Sequence, residues 1–140
     1  MKNALLFVMF LVVFANCKKE KKEMVVNEVP LSTGAKVLSM GDFIDNKNGH
    51  EVSGKAFLVA DSTGKTVLRL ENFSTKPGPD VNVYLSKTTT LQDAKDLGDL
   101  KGTMGNMNYE VNDIDTNEYK YVLIWCVEFA VLFGHAELAK

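Results

Sequence analysis

The chain has 140 residues, of which 46% are apolar, and a formal net charge of −2. This length suits one small domain with a real hydrophobic core. The slightly acidic balance, with no basic face in the sequence, argues against a nucleic acid as partner.

The first residues predict export. Lys2 is followed by an unbroken apolar stretch, residues 4–15, which reads as the basic and apolar parts of a secretory signal. The stretch is too short for a membrane-spanning helix, which needs about 20 apolar residues. The sequence Phe14-Ala15-Asn16-Cys17 resembles a bacterial lipobox, in which the cysteine is acylated and becomes the first mature residue. The alternatives are an ordinary cleaved signal peptide or an uncleaved anchor.

We therefore expect three segments. Residues 1–16 form the signal peptide, residues 17–34 form a lipidated cysteine and a charged tether, and residues 35–140 form the domain. The run from Lys18 to Glu23 is strongly charged and lacks apolar periodicity, as in a solvated tether. The lipid on Cys17 would hold the protein to the bacterial cell envelope on an extracytoplasmic face, either periplasmic or at the cell surface.

The domain has the strand and turn pattern of an antiparallel β protein. Short apolar segments alternate with turns rich in Gly, Pro, Asn and Asp, as in a β-sandwich or a barrel-like domain. One short helix is predicted between Thr90, a candidate cap, and Gly98, a candidate stop. The candidate strands are residues 35–40, 52–60, 66–71, 81–86, 109–111, 119–127, 129–133 and 136–138.

The segment 121–127 is apolar at every position, which predicts a central strand covered on both faces. It contains Cys126, the only cysteine besides Cys17. A cysteine inside such a strand behaves as a small, unreactive hydrophobic residue. Glu128 interrupts the apolar run, however, and a strand ending there would place Cys126 at the rim of the sheet. Both positions remain open at the level of sequence.

Motifs for catalysis are not found. The chain has no nucleophile elbow, phosphate-binding loop or dinucleotide-binding glycine pattern, so an enzyme is the least favoured class. His50 and His135 are weak ligand candidates, since a blue-copper site uses two histidines and a cysteine. No methionine follows His135 to complete such a site. We interpret both histidines as polar residues at strand ends and predict no metal site.

Short motifs occur in a fixed order along the domain. They are Gly41-Asp42-Phe43, His50-Glu51-Val52-Ser53-Gly54, Leu70-Glu71-Asn72-Phe73, residues 78–86, residues 97–102, residues 105–109, Trp125-Cys126-Val127-Glu128-Phe129 and residues 133–138. This ordered set, which extends from about residue 36 to residue 138, resembles the DM13 domain, a β-rich extracellular module. The resemblance implies electron transfer, with the family's cysteine as redox thiol or as ligand to a group such as haem. Only Cys126 matches that position.

Three classes of function follow from these observations. The first is a redox or electron-transfer lipoprotein that uses Cys126 and an unidentified redox or protein partner. The second is a binding or adhesion module in which Cys126 is structural and loops such as residues 76–80 make the contacts. The third is an enzyme.

Overall fold

The computed structural model describes residues 22–140, which form nine β-strands. The predictions of a signal peptide and of acylation at Cys17 concern residues outside this range. In chain order the strands are β1 (Val25–Asn27), β2 (Lys36–Asp45), β3 (Val52–Ala60), β4 (Thr66–Thr75), β5 (Val81–Ser86), β6 (Lys95–Asp99), β7 (Met104–Val111), β8 (Tyr121–Cys126) and β9 (Val131–Glu137).

The nine strands make one curled sheet in the order β1-β7-β4-β3-β2-β9-β8-β5-β6. Neighbouring strands are antiparallel except β1 and β7, which are parallel. The long strand β2 joins the two halves of the sheet, because it pairs first with β3 and then, from Phe43 to Asp45, with β9. The result is a half-barrel, which confirms an all-β fold and the barrel-like alternative.

The predicted short helix is wrong, and no helix occurs within residues 22–140. Thr90 does cap a turn, since its hydroxyl accepts a hydrogen bond from the Gln92 N–H at 3.4 Å. The chain then bends at Asp93, whose φ is +57°, and β6 pairs with β5. Gly98 lies within β6 at a φ of +99°, where the register against β5 shifts. The segment forms a strand because the backbone of β5 offers hydrogen-bond partners along its free edge. A helix of one or two turns would be barely stable on its own.

Other boundaries differ in smaller ways. The predicted strands 52–60 and 81–86 are confirmed. The two predicted strands 129–133 and 136–138 are replaced by a turn up to residue 130 and the single strand β9, which ends at Glu137. The sheet also begins before residue 35, because β1 lies in the segment assigned to the tether. No helix in residues 22–140 is long and apolar enough to cross a membrane.

Candidate functional site

Strand β8 is buried on both faces of the sheet. It lies between β5 and β9, and every one of its residues is paired on both sides. Alternation places Val122, Ile124 and Cys126 in the main core, while Leu123 and Trp125 lie on the opposite face. Leu123 is also fully buried and Trp125 is half-buried. The prediction of an apolar strand in the interior of the sheet is thereby confirmed.

Cys126 is the last residue of β8 and is fully buried. It lies opposite Val81 on β5 and Val131 on β9. The next residue, Val127, leaves the sheet and donates its N–H to the Asp80 carbonyl at 2.7 Å. Both readings of the sequence therefore hold in part, because the cysteine lies at a strand end and is nevertheless shielded from solvent.

The segment before β5 closes this part of the core. Gly78 packs so tightly that a Cβ atom there would lie 2.6 Å from Val81 Cγ2 and 3.0 Å from Phe133 Cζ. Real Cβ atoms do not approach other heavy atoms to 2.6 Å, so no larger residue fits without movement. Gly78 thus packs directly on Val81, the residue opposite Cys126, and closes the core there.

A cavity of about 560 Å³ opens beside this segment. Its apolar wall includes Met24, Pro77, Val81 and Leu100, and its charged residues are Lys22, Glu23, Lys76, Asp99 and Lys101. This volume lies within the range of small-molecule sites. Cys126 does not line the cavity, but its cross-strand neighbour Val81 does. Opposed residues on one face of a sheet have Cβ atoms about 5 Å apart, so one side chain separates the thiol from the cavity.

The lysines of the cavity differ in their freedom. Lys101 is held by Glu28 at 2.8 Å and lies over the Tyr109 ring, 5.0 Å from its centroid. Although desolvation opposes it, hydrogen bonds from Lys101 and the Asn108 N–H lower the pKa of Glu28. Burial raises the pKa of Tyr109 to about 12. Lys76, by contrast, is mostly exposed and 3.9 Å from the Glu51 carboxylate, so it is the freer cation.

The two histidines do not converge on Cys126. His50 stacks on Phe133, with ring centroids 3.9 Å apart. His135 pairs with Leu123, on the face of the sheet opposite Cys126, and its ring centroid is 6.1 Å from that of Tyr121. The Nδ1 atom of each is buried without a hydrogen-bond partner. Neither histidine lines the cavity, and no group of three or more His, Cys, Asp or Glu side chains suited to a metal occurs within residues 22–140.

These positions do not fit a haem held by Cys126. Such a haem needs a thiolate that opens into its pocket, often with a second axial ligand. The Cys126 side chain has no exposed surface, and the cavity offers no histidine. The residues around Cys126 therefore do not suit a haem, and no step of electron transfer is assigned to one.

The sequence indicated only part of this site. The loop 76–80 was expected to make contacts, and Lys76, Pro77 and Gly78 do line the cavity. Met24, Leu100 and Lys101 were not foreseen as site residues. The apolar run Met24-Val25-Val26 after the charged segment was the one available signal for β1 and its neighbour.

The fold and the site define a small all-β domain that buries one cysteine beside a cavity of small-molecule size. The family model described as "Electron transfer DM13" matches residues 42–138, and the chain belongs to this family. That membership supports a redox or electron-transfer role. Neither a curated protein nor a solved structure matches the chain.

Proposed function

We propose that this protein is a lipoprotein of the bacterial cell envelope whose DM13 domain transfers electrons, with Cys126 as its redox-active thiol. One observation carries the assignment to Cys126. In a chain of an electron-transfer family, the thiol lies one side chain from a cavity of small-molecule size.

Burial restricts the chemistry of this thiol. Thiol–disulfide exchange requires direct attack on sulfur, and a residue without exposed surface is closed to it. Electron transfer does not require the donor and acceptor to touch, so a group in the cavity or at the nearby surface suffices. Burial also limits the access of peroxide, which would drive a thiol towards irreversible oxidation.

A one-electron oxidant tests this role. The acylated full chain is treated with ferricyanide, and thiols are then counted in denaturant. We expect the native wild type to reduce one ferricyanide to ferrocyanide per chain, as the Cys126 thiol gives up one electron and releases its proton to solvent, which leaves a sulfur-centred radical that a spin trap captures before the thiols are counted. The Cys126→Ala variant should reduce none. An equal reaction of both proteins, or no reaction of either, would contradict the assignment.

The anchor rests on the sequence. Lys2, the apolar residues 4–15 and the lipobox-like ending at Cys17 support acylation. Metabolic labelling with a fatty acid tests it, because the wild type should incorporate label and a Cys17→Ser variant should not. Equal labelling of the two chains would refute the anchor.

A second candidate is a binding module in which Cys126 is structural. The cavity and the complete burial of the thiol favour it. The same Cys126→Ala variant discriminates the two functions. A binding module keeps its ligand affinity without the thiol, whereas an electron-transfer protein loses its reaction with ferricyanide.

A further inference from the structure

The strands bring several loops together at one end of the sheet. Strands β4, β6 and β8 end on the side where β5, β7 and β9 begin. We call this side the cavity end, because the residues that line the cavity lie there. It comprises residues 22–25, 46–51, 75–80, 99–104 and 127–130.

Exposed apolar side chains are concentrated at the cavity end. Nine large hydrophobic residues are exposed within residues 22–140, and five of them lie there: Met24, Val25, Met104, Val127 and Phe129. Phe129 is 66% exposed in the tight turn between β8 and β9, and Val127 in the same turn is 42% exposed. Apolar groups that protrude together from one end of a soluble domain mark a surface that meets a protein or a membrane.

The turn itself holds these side chains outward. The Ala130 N–H donates to the Val127 carbonyl at 3.3 Å, and Ala130 adopts a φ of +52°. This geometry returns the chain to β9 within four residues and leaves Phe129 at the tip. A phenylalanine in that position buries little surface in the fold, so its ring is available for contact with a protein or a membrane.

The short chain between Cys17 and the cavity favours a membrane as the contact. Lys22 lines the cavity, and Cys17 is five residues earlier. Five residues span at most about 18 Å, even when fully extended. An acyl group on Cys17 would therefore hold the cavity end near the bilayer. The opposite end is farther away by the length of a strand, about 33 Å for the ten residues of β2.

Charge does not oppose this orientation. The charged residues of the cavity end are of both signs: Lys22, Lys47, Lys76 and Lys101 against Glu23, Glu51, Asp80, Asp99 and Glu128. With such a mixed set, contact with the bilayer would depend on apolar insertion more than on anionic lipids.

We propose that the cavity end rests on the membrane, with Phe129 and Val127 in the lipid interface and the cavity open towards lipid. This inference uses the acylation of Cys17 in the proposed function. It implies that molecules reach the cavity from the membrane. It does not depend on the redox role of Cys126.

Trp125, the only tryptophan, is a natural probe because it is half-buried two residues before the turn. The acylated full chain is incorporated into phosphatidylcholine vesicles that carry brominated acyl chains, which quench nearby tryptophan. We expect strong quenching in the wild type and a several-fold loss in Phe129→Glu, although both proteins float with the vesicles. Phe129→Leu should retain most of the quenching. Val37→Glu, a change of an exposed residue at the opposite end, should leave it unaltered.

Each other outcome overturns the proposal. Unquenched Trp125 in a floating wild type would mean that the cavity end faces away from lipid, free for a protein partner. Equal quenching in the wild type and Phe129→Glu would mean that the turn does not insert. A wild type that fails to float would refute both the anchor and the orientation, whereas loss of the ferricyanide reaction alone would refute only the role of Cys126.

Discussion

At the scale of single residues, the accessibility of Cys126 depends on its neighbours more than on the cysteine itself. Val81 and Val131 flank it in the sheet, and Gly78 packs on Val81. A reagent that must touch the sulfur reaches a thiol in such a position only when the surrounding structure opens. We therefore expect the segment 75–80 to control how fast such reagents reach the Cys126 thiol.

The Gly78→Ala substitution tests this control. The added methyl would meet Val81 and Phe133 at distances that force the segment or the side chains to move. We expect a loss of about 1–3 kcal/mol in the free energy of unfolding, as for other overpacked sites. We also expect faster labelling of Cys126 by a thiol reagent in the native protein. Pro79→Ala changes an exposed residue of the same segment and serves as the control. Unchanged labelling in Gly78→Ala would show that opening occurs elsewhere.

At the scale of elements, β8 and β6 should differ in stability, although both contribute to the same half of the sheet. Strand β8 is paired on both sides and has a fully buried centre, whereas β6 is an edge strand. We expect the backbone amides of β8 to exchange with solvent only at rates near those of global unfolding. Those of β6 should exchange much faster. Hydrogen exchange followed by NMR measures both, and similar rates would mean that β8 is not the stable centre of this half.

The contribution of the β1 segment to the stability of the fold should depend on pH. Glu28 directly follows β1, and its carboxylate accepts hydrogen bonds from Lys101 and from the Asn108 N–H. Its pKa is lower in the folded than in the unfolded protein, so the charged form stabilises the fold above the ordinary pKa of 4.5. This contribution is lost as the pH falls below 4.5.

The Glu28→Gln variant should therefore lose less stability than the wild type on acidification. Urea unfolding at neutral pH and below pH 4.5 gives the comparison. Glu110→Gln alters an exposed glutamate on β7 and should behave as the wild type. If the Glu28 variant keeps the full acid dependence, the link between β1 and Lys101 does not stabilise the fold.

The elements differ in how well the sequence predicted them. Strands β3 and β5 show regular apolar patterns between turn residues, and their bounds were predicted correctly. Gly134 interrupts the pattern of β9, so one strand was divided into two. Thr90 and Gly98 carry helix signals that act here in a turn and a bulge, because pairing with β5 outweighs a weak local preference. Local signals failed where a neighbouring strand supplied the hydrogen bonds.

At the scale of the whole molecule, the site is a product of topology. The cavity is lined by the segment before β1, the loop before β5 and the loop after β6. The curled sheet brings these segments together, and Tyr109 on β7 helps to hold the loop after β6, since its hydroxyl accepts a hydrogen bond from the Lys101 N–H at 3.0 Å. Sequence patterns identified Cys126 and the loop 76–80. Sequence patterns could not predict the cavity, because they are local and the loops that line it are far apart in the chain.

Filling the cavity should separate binding from redox chemistry. Leu100 is half-buried in the cavity wall, and Leu100→Trp would place extra volume in the space that a ligand needs. Anilinonaphthalene sulfonate is a suitable probe, because its aromatic rings suit the apolar wall and its sulfonate suits the exposed Lys76. We expect its affinity to fall by about tenfold or more, equivalent to about 1.4 kcal/mol, measured by fluorescence titration.

The matched control is Leu91→Trp, a change in the turn before β6, at the opposite end of the sheet. It should bind the dye as the wild type does. If electrons reach Cys126 through a group in the cavity, Leu100→Trp should also slow the reaction with oxidants that enter it. It should spare the reaction with ferricyanide if that ion acts from the surface. Equal dye affinity in Leu100→Trp and the wild type would mean that the dye binds outside the cavity, which would contradict a role of the cavity as the binding site of this domain.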